Sequence, residues 1–191
     1  MYNQASTFKL IPRDAPINNR AKLDTGTHCN YKCDFCYYKT QLDVVTNLDV
    51  IKGRIDYLVE CGITEVDLSG GESSIHKEWF DILDYCTDKG LYISCLSNGF
   101  KFAKKDFVLR SHNHGLREIL FSVHGYDTTS HDMLVGRKHA YKNIIKAIGN
   151  AQELGMGVRV ICSITVYNYK HLDEFALIMN ELKPLQVNFL P

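Results

Sequence analysis

The stretch Cys29-Asn-Tyr-Lys-Cys33-Asp-Phe-Cys36 places three thiols within eight residues, with three residues between the first pair and two between the second. Cysteine thiolates hold iron–sulfur clusters, and a [4Fe–4S] cluster usually takes four of them. Three ligands would leave one iron open to a small molecule, which could then receive an electron. The alternatives are a structural zinc site with the adjoining His28 as fourth ligand, or three unrelated core thiols.

The composition around this stretch is that of an ordinary globular domain. The chain has 191 residues, 45% of them hydrophobic, and 22 basic residues balance 22 acidic ones. A neutral chain has no general basic field for nucleic acid, and no apolar run approaches the length of a membrane span. Seven cysteines without a signal-peptide core predict a reducing, cytoplasmic location. We interpret residues 1–19 as a polar N-terminal extension and residues 20–191 as the core domain.

Outside the cysteine loop, strand patterns alternate with helix patterns. Buried strands are predicted at 21–25, 65–69, 91–96, 117–123, 157–166 and 185–190. Helical spacing of apolar residues predicts helices that begin at Asn47 or Asp49 and lie near 79–85, 103–113, 139–154 and 172–179. Alternation of this kind implies βαβ units and a parallel sheet. No Gly-x-Gly-x-x-Gly follows the first strand, so we expect an α/β fold of the open-barrel type, a partial (β/α)6 TIM-like barrel with open edges.

Polar motifs stand where the predicted strands end, which is where barrel enzymes carry their active sites. The cysteine loop follows strand one, Ser69-Gly70-Gly71-Glu72 ends strand two, and Ser97-Asn98-Gly99 ends strand three. Strand four ends in Ser122-Val-His124. Each motif alone also fits a plain turn, and His124, the one candidate for acid–base catalysis, also fits a structural role. The remaining cysteines, Cys61, Cys86, Cys95 and Cys162, are predicted to be buried core residues.

The cysteine spacing, with Phe35 before the third thiol, resembles the signature loop of the radical S-adenosylmethionine (radical SAM) superfamily. The resemblance implies a [4Fe–4S] cluster on Cys29, Cys33 and Cys36, shielded by Phe35, with SAM bound to the open iron. It also implies an enzyme in which the reduced cluster cleaves SAM to a 5′-deoxyadenosyl radical that abstracts hydrogen from a substrate. The electron would come from a flavodoxin- or ferredoxin-like donor.

The same resemblance implies which residues surround SAM. Gly70, Gly71 and Glu72 match the motif that binds the SAM amino group, Ser97 faces the mouth, and Ser122 contacts ribose or carboxylate. Ile164 and Leu190 match positions near adenine. The chain departs from the family pattern with Ser73 in place of Pro and Val135 in place of an Arg that pairs with the SAM carboxylate; Arg137 is our substitute for that Arg.

The substrate is left open as a small molecule, a nucleotide or a peptide. The competing hypothesis is a non-catalytic barrel that uses the three-cysteine loop as a structural or redox-sensing iron–sulfur or zinc site. Since the sequence ends directly after strand six, at Pro191, we expect the SAM machinery to be complete and the substrate wall to be finished by further chain, a second copy or a protein substrate.

Overall fold

Six parallel strands form one curled sheet in the computed structural model, which describes residues 19–191. The strands follow chain order across the sheet: β1 Arg20–Asp24, β2 Glu65–Ser69, β3 Tyr92–Ser97, β4 Leu116–Ser122, β5 Gly157–Ser163 and β6 Gln186–Leu190. Every neighbouring pair is parallel. The predicted partial barrel is therefore confirmed. Of the predicted N-terminal extension, residues 1–18 lie outside the described part.

Helices connect successive strands. They are α1 Leu48–Glu60, α2 Trp79–Asp88, α3 Lys105–Asn113, α4 Thr128–Leu134, α5 Ala140–Glu153 and α6 Leu172–Leu182, with short 3₁₀ turns at Ser73–Ile75 and Tyr169–His171. The Asn47 side chain caps α1 by accepting a hydrogen bond from the Asp49 backbone N–H at 2.8 Å, as the sequence predicts. None of the helices within residues 19–191 is long and apolar enough to cross a membrane.

The two faces of the sheet differ in chemistry because successive side chains point to opposite faces. The face under the helices is apolar and includes Leu68, Ile93 and Phe121, none of them more than 1% exposed. Cys86, Cys95 and Cys162 are buried in this core as expected, whereas Cys61 is exposed. The prediction for Cys61 was wrong because this residue ends the last turn of α1 on the solvent side.

The inner face of the curl is polar near the beginnings of the strands. Arg20, Glu65, Asp67, Glu118 and Arg159 form an ion-pair network across β1, β2, β4 and β5. This network fills the interior at the N-terminal side of the sheet. The carboxyl ends of the strands are left to form an open cavity.

Two elements differ from the sequence prediction. Helix α4 was not predicted, and β5 ends at Ser163 rather than at residue 166. The strand ends early because the Asn168 side chain accepts a hydrogen bond from the Thr165 backbone N–H at 2.7 Å, and the Asn168 N–H bonds back to the Thr165 carbonyl. This local turn competes with continued strand pairing, so Ile164 lies just beyond β5.

Candidate active site

A cavity of about 750 Å³ lies at the carboxyl ends of the strands, and its volume falls in the range of small-molecule and cofactor sites. Apart from Arg137, every residue that the sequence predicted for the site lines it. These residues are Cys29, Cys33, Phe35, Cys36, Gly70, Gly71, Glu72, Ser97, Ser122, His124, Ile164 and Leu190. The motifs at the ends of five strands and the cysteine loop therefore share one space.

The cysteine loop is held from outside by the end of α4. The backbone N–H of Lys32 donates to the Val135 carbonyl at 3.2 Å, and that of Asp34 donates to the Leu134 carbonyl at 3.1 Å. A Cβ atom on Gly136 would lie 2.6 Å from the Lys32 carbonyl oxygen. The loop and the end of α4 are thus in direct backbone contact, and the unpredicted helix supports the predicted motif.

Burial controls the chemistry of the thiols. It raises the pKa of Cys29 to about 11 and that of Cys33 to about 12. Without a metal ion these two thiols stay protonated at neutral pH, and the positive charge of a bound metal ion would make them thiolates. Two N–H groups face the Cys29 sulfur: the Tyr31 backbone N–H at 3.4 Å and the Asn98 side-chain Nδ2 at 3.9 Å.

The Gly70–Gly71 pair brings β2 against the backbone that leads into the cysteine loop. A Cβ atom on Gly70 would lie 2.1 Å from the Gly26 carbonyl oxygen, and one on Gly71 would lie 2.1 Å from the His28 carbonyl oxygen. The Gly71 N–H donates to Gly26 and the Glu72 N–H to His28, both at 2.9 Å. The sequence predicted that the two glycines let a ligand approach the backbone closely. In the structure, the groups that approach them closely are backbone carbonyls of the protein itself.

Glu72 is only 3% exposed, and its carboxylate joins the loops after β2 and β3. It accepts hydrogen bonds from the Ser97 hydroxyl at 2.9 Å, the Asn98 backbone N–H at 2.6 Å, and Ser74. Burial raises the pKa of this carboxyl, while these donors oppose the shift. The side chain that the motif supplies is therefore a brace between two cavity walls.

His124 is held as a neutral ring in the cavity wall. Its Nδ1 accepts a hydrogen bond from the Ser163 backbone N–H at 3.0 Å, which leaves the proton on Nε2. Burial lowers the pKa of His124 to about 3, and the neighbouring His131, stacked at 6.2 Å, adds to the effect. The ring also contacts Phe35 edge-on at 4.5 Å. In this setting His124 is a hydrogen-bond donor, which does not favour the acid–base role.

The end of β6 completes the apolar wall. The Ile164 N–H donates to the Leu190 carbonyl at 2.7 Å, so the two residues predicted to lie near adenine are adjacent. Ser122, at the end of β4, also borders the cavity. These residues and the three thiols line the same cavity.

Arg137 lies elsewhere. Its guanidinium packs over the rings of Phe100 and Tyr31, at 5.2 and 5.9 Å, and reaches the Asn30 carbonyl at 3.5 Å. It is not among the residues that line the cavity. Its pairing with the SAM carboxylate stays a prediction. Val135, at the position where the family resemblance implies an Arg, does line the cavity and is 2% exposed.

The zinc alternative needs His28 as the fourth ligand beside the three thiols. His28 is 2.8 Å from Asp43 through Nδ1 and does not line the main cavity. In the described part of the chain, no three Cys, His, Asp or Glu side chains converge as the ligands of one metal ion would. The three thiols of the loop line one cavity, and in a [4Fe–4S] cluster each thiolate would bind a different iron.

Sequence reasoning missed Lys22 and Tyr38, which also line the cavity. The Tyr38 hydroxyl donates to Asp24 at 2.6 Å, and the Lys22 ammonium is 3.4 Å from the same carboxylate. For Lys22 the available signal was the alternation of side chains along β1. Leu23 faces the core, so its neighbours Lys22 and Asp24 must face the interior of the curl. The short strand offered too few residues to use that signal.

Comparison with known families decides the identity. The family model for the Radical SAM superfamily matches residues 23–182. The chain belongs to the radical SAM superfamily. The match covers all three cysteines, the Gly-Gly-Glu motif and the ends of strands two to five, so the family assignment rests on the same elements that build the cavity.

Curated relatives of this radical SAM chain have different products. The subtilosin biosynthesis protein AlbA of Bacillus subtilis (strain 168) is 25% identical over 185 residues, which cover 94% of this chain and 41% of AlbA. GTP 3′,8-cyclase of Vibrio parahaemolyticus serotype O3:K6 (strain RIMD 2210633) is 26% identical over 179 residues, 88% of this chain and 52% of the cyclase. The chain spans about half the length of these curated relatives.

Solved structures show the same fold. SuiB of Streptococcus suis bound to S-adenosylmethionine superposes with a TM-score of 0.76 at 18% identity, covering 90% of this chain and 40% of SuiB. Methylornithine synthase (PylB) gives a TM-score of 0.75 at 19% identity, covering 90% of this chain and 52% of PylB. Radical SAM proteins are enzymes that use a [4Fe–4S] cluster and SAM. The thiol set and cavity volume described above fit both cofactors.

Proposed function

We propose that Cys29, Cys33 and Cys36 hold the [4Fe–4S] cluster and that SAM occupies the cavity beside it. The bound cofactors supply the chemistry: one electron cleaves the sulfonium to give methionine and a 5′-deoxyadenosyl radical, which takes a hydrogen atom from the substrate. The observation that carries the proposal is that the three thiols open into the same cavity as Gly70–Glu72, Ser122, Ile164 and Leu190.

The residues of this chain provide orientation and exclusion of water. Phe35 and His124, in edge-on contact, cover one side of the cavity. Ile164 and Leu190 offer an apolar surface to the adenine, and the Ser122 hydroxyl offers a hydrogen bond to ribose or carboxylate. Glu72, braced between two loops, fixes the wall against which the SAM amino group would lie.

The proposed partners are a flavodoxin- or ferredoxin-like one-electron donor and a substrate that is a small molecule, a nucleotide or a peptide. Relatives support the last two classes, since they include a GTP cyclase and a bacteriocin biosynthesis protein. In the cytoplasm, where we place the protein, both kinds of donor occur in reduced form.

Anaerobic reconstitution with iron and sulfide tests the proposal. We expect about four irons and four sulfides per chain, and 5′-deoxyadenosine when dithionite and SAM are added. Cys33→Ala should lose the cluster and the product, whereas the matched control Cys61→Ala, at an exposed thiol, should keep both. Stoichiometric zinc without sulfide, or a cluster that never yields 5′-deoxyadenosine, would instead establish the non-catalytic alternative.

A further inference from the structure

Asn98 occupies a junction between the Gly-Gly-Glu loop and the cysteine loop. Its backbone N–H donates to the Glu72 carboxylate at 2.6 Å, and its side-chain Oδ1 accepts from the Phe100 N–H at 3.0 Å. These two bonds fix the orientation of the amide. The side-chain Nδ2 then donates to Asn30 Oδ1 at 2.9 Å and lies 3.9 Å from the Cys29 sulfur.

Hydrogen bonding to the three thiols is uneven. The Cys29 sulfur faces two N–H groups, Asn98 Nδ2 and the Tyr31 backbone N–H. Among the described residues, the two hydrogen bonds that other residues donate to a thiol of this loop both end on Cys29, whereas Cys33 is faced by its own backbone N–H. Of the two donors at Cys29, the Asn98 amide is the one that belongs to a side chain. Its removal by substitution is therefore a direct experiment.

N–H groups directed at cluster sulfurs stabilise the added negative charge of the reduced state, so they raise the reduction potential. We propose that Asn98 is a positioning residue that raises the potential of the cluster through Cys29. The inference rests on the proposed function, because it places the cluster on this thiol. Glu72 takes part by holding the Asn98 backbone, and Asn30 Oδ1 accepts from the same amide group at 2.9 Å, which holds the nitrogen at 3.9 Å from the sulfur.

Two substitutions at position 98 remove the donor in different ways. Asn98→Asp keeps an oxygen for the Phe100 N–H, and therefore the turn, but places negative charge beside Cys29. Asn98→Ala removes the amide and adds no charge. We expect the reduction potential to fall in both variants, and further in Asn98→Asp. In Asn98→Ala the potential should fall by about 59 mV, which for a one-electron couple lowers the reduced-to-oxidised ratio at a fixed potential about tenfold.

A third substitution predicts the opposite sign. Asn30→Ala removes the oxygen that holds Asn98 Nδ2 at 2.9 Å, so the amide can move closer to the Cys29 sulfur and the potential should rise. General damage to the loop would not reverse the sign between positions 30 and 98. This variant also keeps the proposal testable if the Asn98 variants fail to hold a cluster.

The measurement is a redox titration followed by electron paramagnetic resonance, on reconstituted protein without SAM. Ser74→Ala is the matched control, since Ser74 bonds to the same Glu72 carboxylate and does not contact the thiols; its potential should equal that of the unsubstituted protein. Unchanged potentials in the cluster-loaded variants, or a fall in Asn30→Ala, would overturn the role of Asn98. Failure of the proposed function would appear separately, as the absence of a [4Fe–4S] cluster or of 5′-deoxyadenosine in the unsubstituted protein.

Discussion

At position 71 there is no space for a methyl group, because its carbon would lie 2.1 Å from the His28 carbonyl and 2.5 Å from that of Thr27. Gly71→Val must therefore displace the backbone that leads directly into Cys29. We expect this variant to lose most of its iron after reconstitution as well as its SAM binding, because overpacking of this kind costs about 1–3 kcal/mol or more. Iron analysis and SAM titration provide the two measurements.

The matched control is Gly149→Ala, in α5, where an added Cβ meets nothing within 4 Å. It should keep the full iron content and gain about 0.5–1 kcal/mol of stability, since Ala is the better helix residue. If Gly71→Val kept all its iron and lost only SAM, the glycine would serve the ligand directly, as the sequence alone suggested.

Two buried imidazoles make stability depend on pH. Burial lowers the pKa of His124 to about 3 and that of His131 to about 4, against 6.5 in the unfolded chain. Between these values the unfolded state binds more protons, so stability falls as the pH drops below 6.5. The loss by pH 5 is about 2 kcal/mol for each histidine, at about 1.4 kcal/mol per pH unit. Urea denaturation under anaerobic conditions at pH 7 and pH 5 measures it.

His131→Asn isolates one of the two groups. The Asn oxygen can replace Nδ1 as acceptor of the His124 backbone N–H, now at 3.2 Å, and it does not titrate. The difference in stability between pH 7 and pH 5 should shrink by about half, while His112→Gln, at a partly exposed site on α3, should leave it unchanged. Equal pH dependence in all three proteins would mean that other groups govern acid unfolding.

At the scale of single residues, the sequence predicted the identity of the site better than its electrostatics. The cysteines and the Gly-Gly-Glu motif are local patterns, so the sequence could name them as candidates and the family resemblance could assign them to a cluster and SAM. The neutral state of His124 depends on its burial and on the neighbouring His131, and the distance of Arg137 from the cavity depends on the rings of Tyr31 and Phe100. Such long-range contacts leave no local signature.

Among the elements, α4 has the clearest link to function. Asp127 caps this helix: its carboxylate accepts from the Ser130 backbone N–H at 2.7 Å, and the Ser130 hydroxyl accepts from the Asp127 N–H at 3.1 Å. Asp127→Ala should therefore destabilise the fold by about 0.5–2 kcal/mol. Because α4 ends at the residues that hold Lys32 and Asp34, cluster release during exposure to a chelator should also become faster.

Thermal or urea unfolding and the rate of iron loss to a chelator check both parts of this prediction. Asp127→Asn is the conservative variant, and it should recover most of the stability because Asn caps helices about as well as Asp. Faster unfolding with unchanged iron loss would show that α4 and the cysteine loop are energetically independent.

Helix α4 escaped sequence prediction for a physical reason. With seven residues, of which Met133 and Leu134 alone are strongly apolar, it is too short to show helical periodicity. The capping residues Asp127 and Ser130 were the only local sign of it. The longer helix α5, which repeats apolar residues over 14 positions, was predicted to within one residue at each end.

Across the whole molecule, the order of strands followed from the sequence, but the contents of the barrel interior did not. Alternating strand and helix patterns imply neighbouring parallel strands, and the sheet has that order. The interior network joins Arg20, Asp67, Glu118 and Arg159, which are far apart in the chain. From the sequence, each of these residues would be expected at the surface as an isolated charge. They come together because the sheet is curled.

This network leads to a prediction about what stabilises the curl. The Glu118 carboxylate is 2.6 Å from Arg159 and 3.4 Å from Arg20, and the side chains of Glu118 and Arg159 are only 12% and 17% exposed. Glu118→Gln keeps the volume but removes the charge that both guanidinium groups share. Arg20 donates a charge-assisted hydrogen bond to Glu118, and such a bond contributes about 1.5–3 kcal/mol. We expect the free energy of unfolding to fall by at least that amount, because the ion pair with Arg159 is lost as well.

The control for Glu118→Gln is a substitution in an ion pair of similar length at the surface. Lys105 and Glu153 are 2.5 Å apart, but their side chains are 67% and 58% exposed, and exposed pairs contribute at most about 1 kcal/mol. Urea denaturation of cluster-loaded protein at pH 7 should therefore separate Glu118→Gln from Glu153→Gln. High salt should reduce the small effect at the surface more than the larger one inside, because buried charges are screened less. If the two substitutions cost the same and respond alike to salt, the interior charges only fill space, and the apolar packing beneath the helices alone maintains the curvature on which the cavity depends.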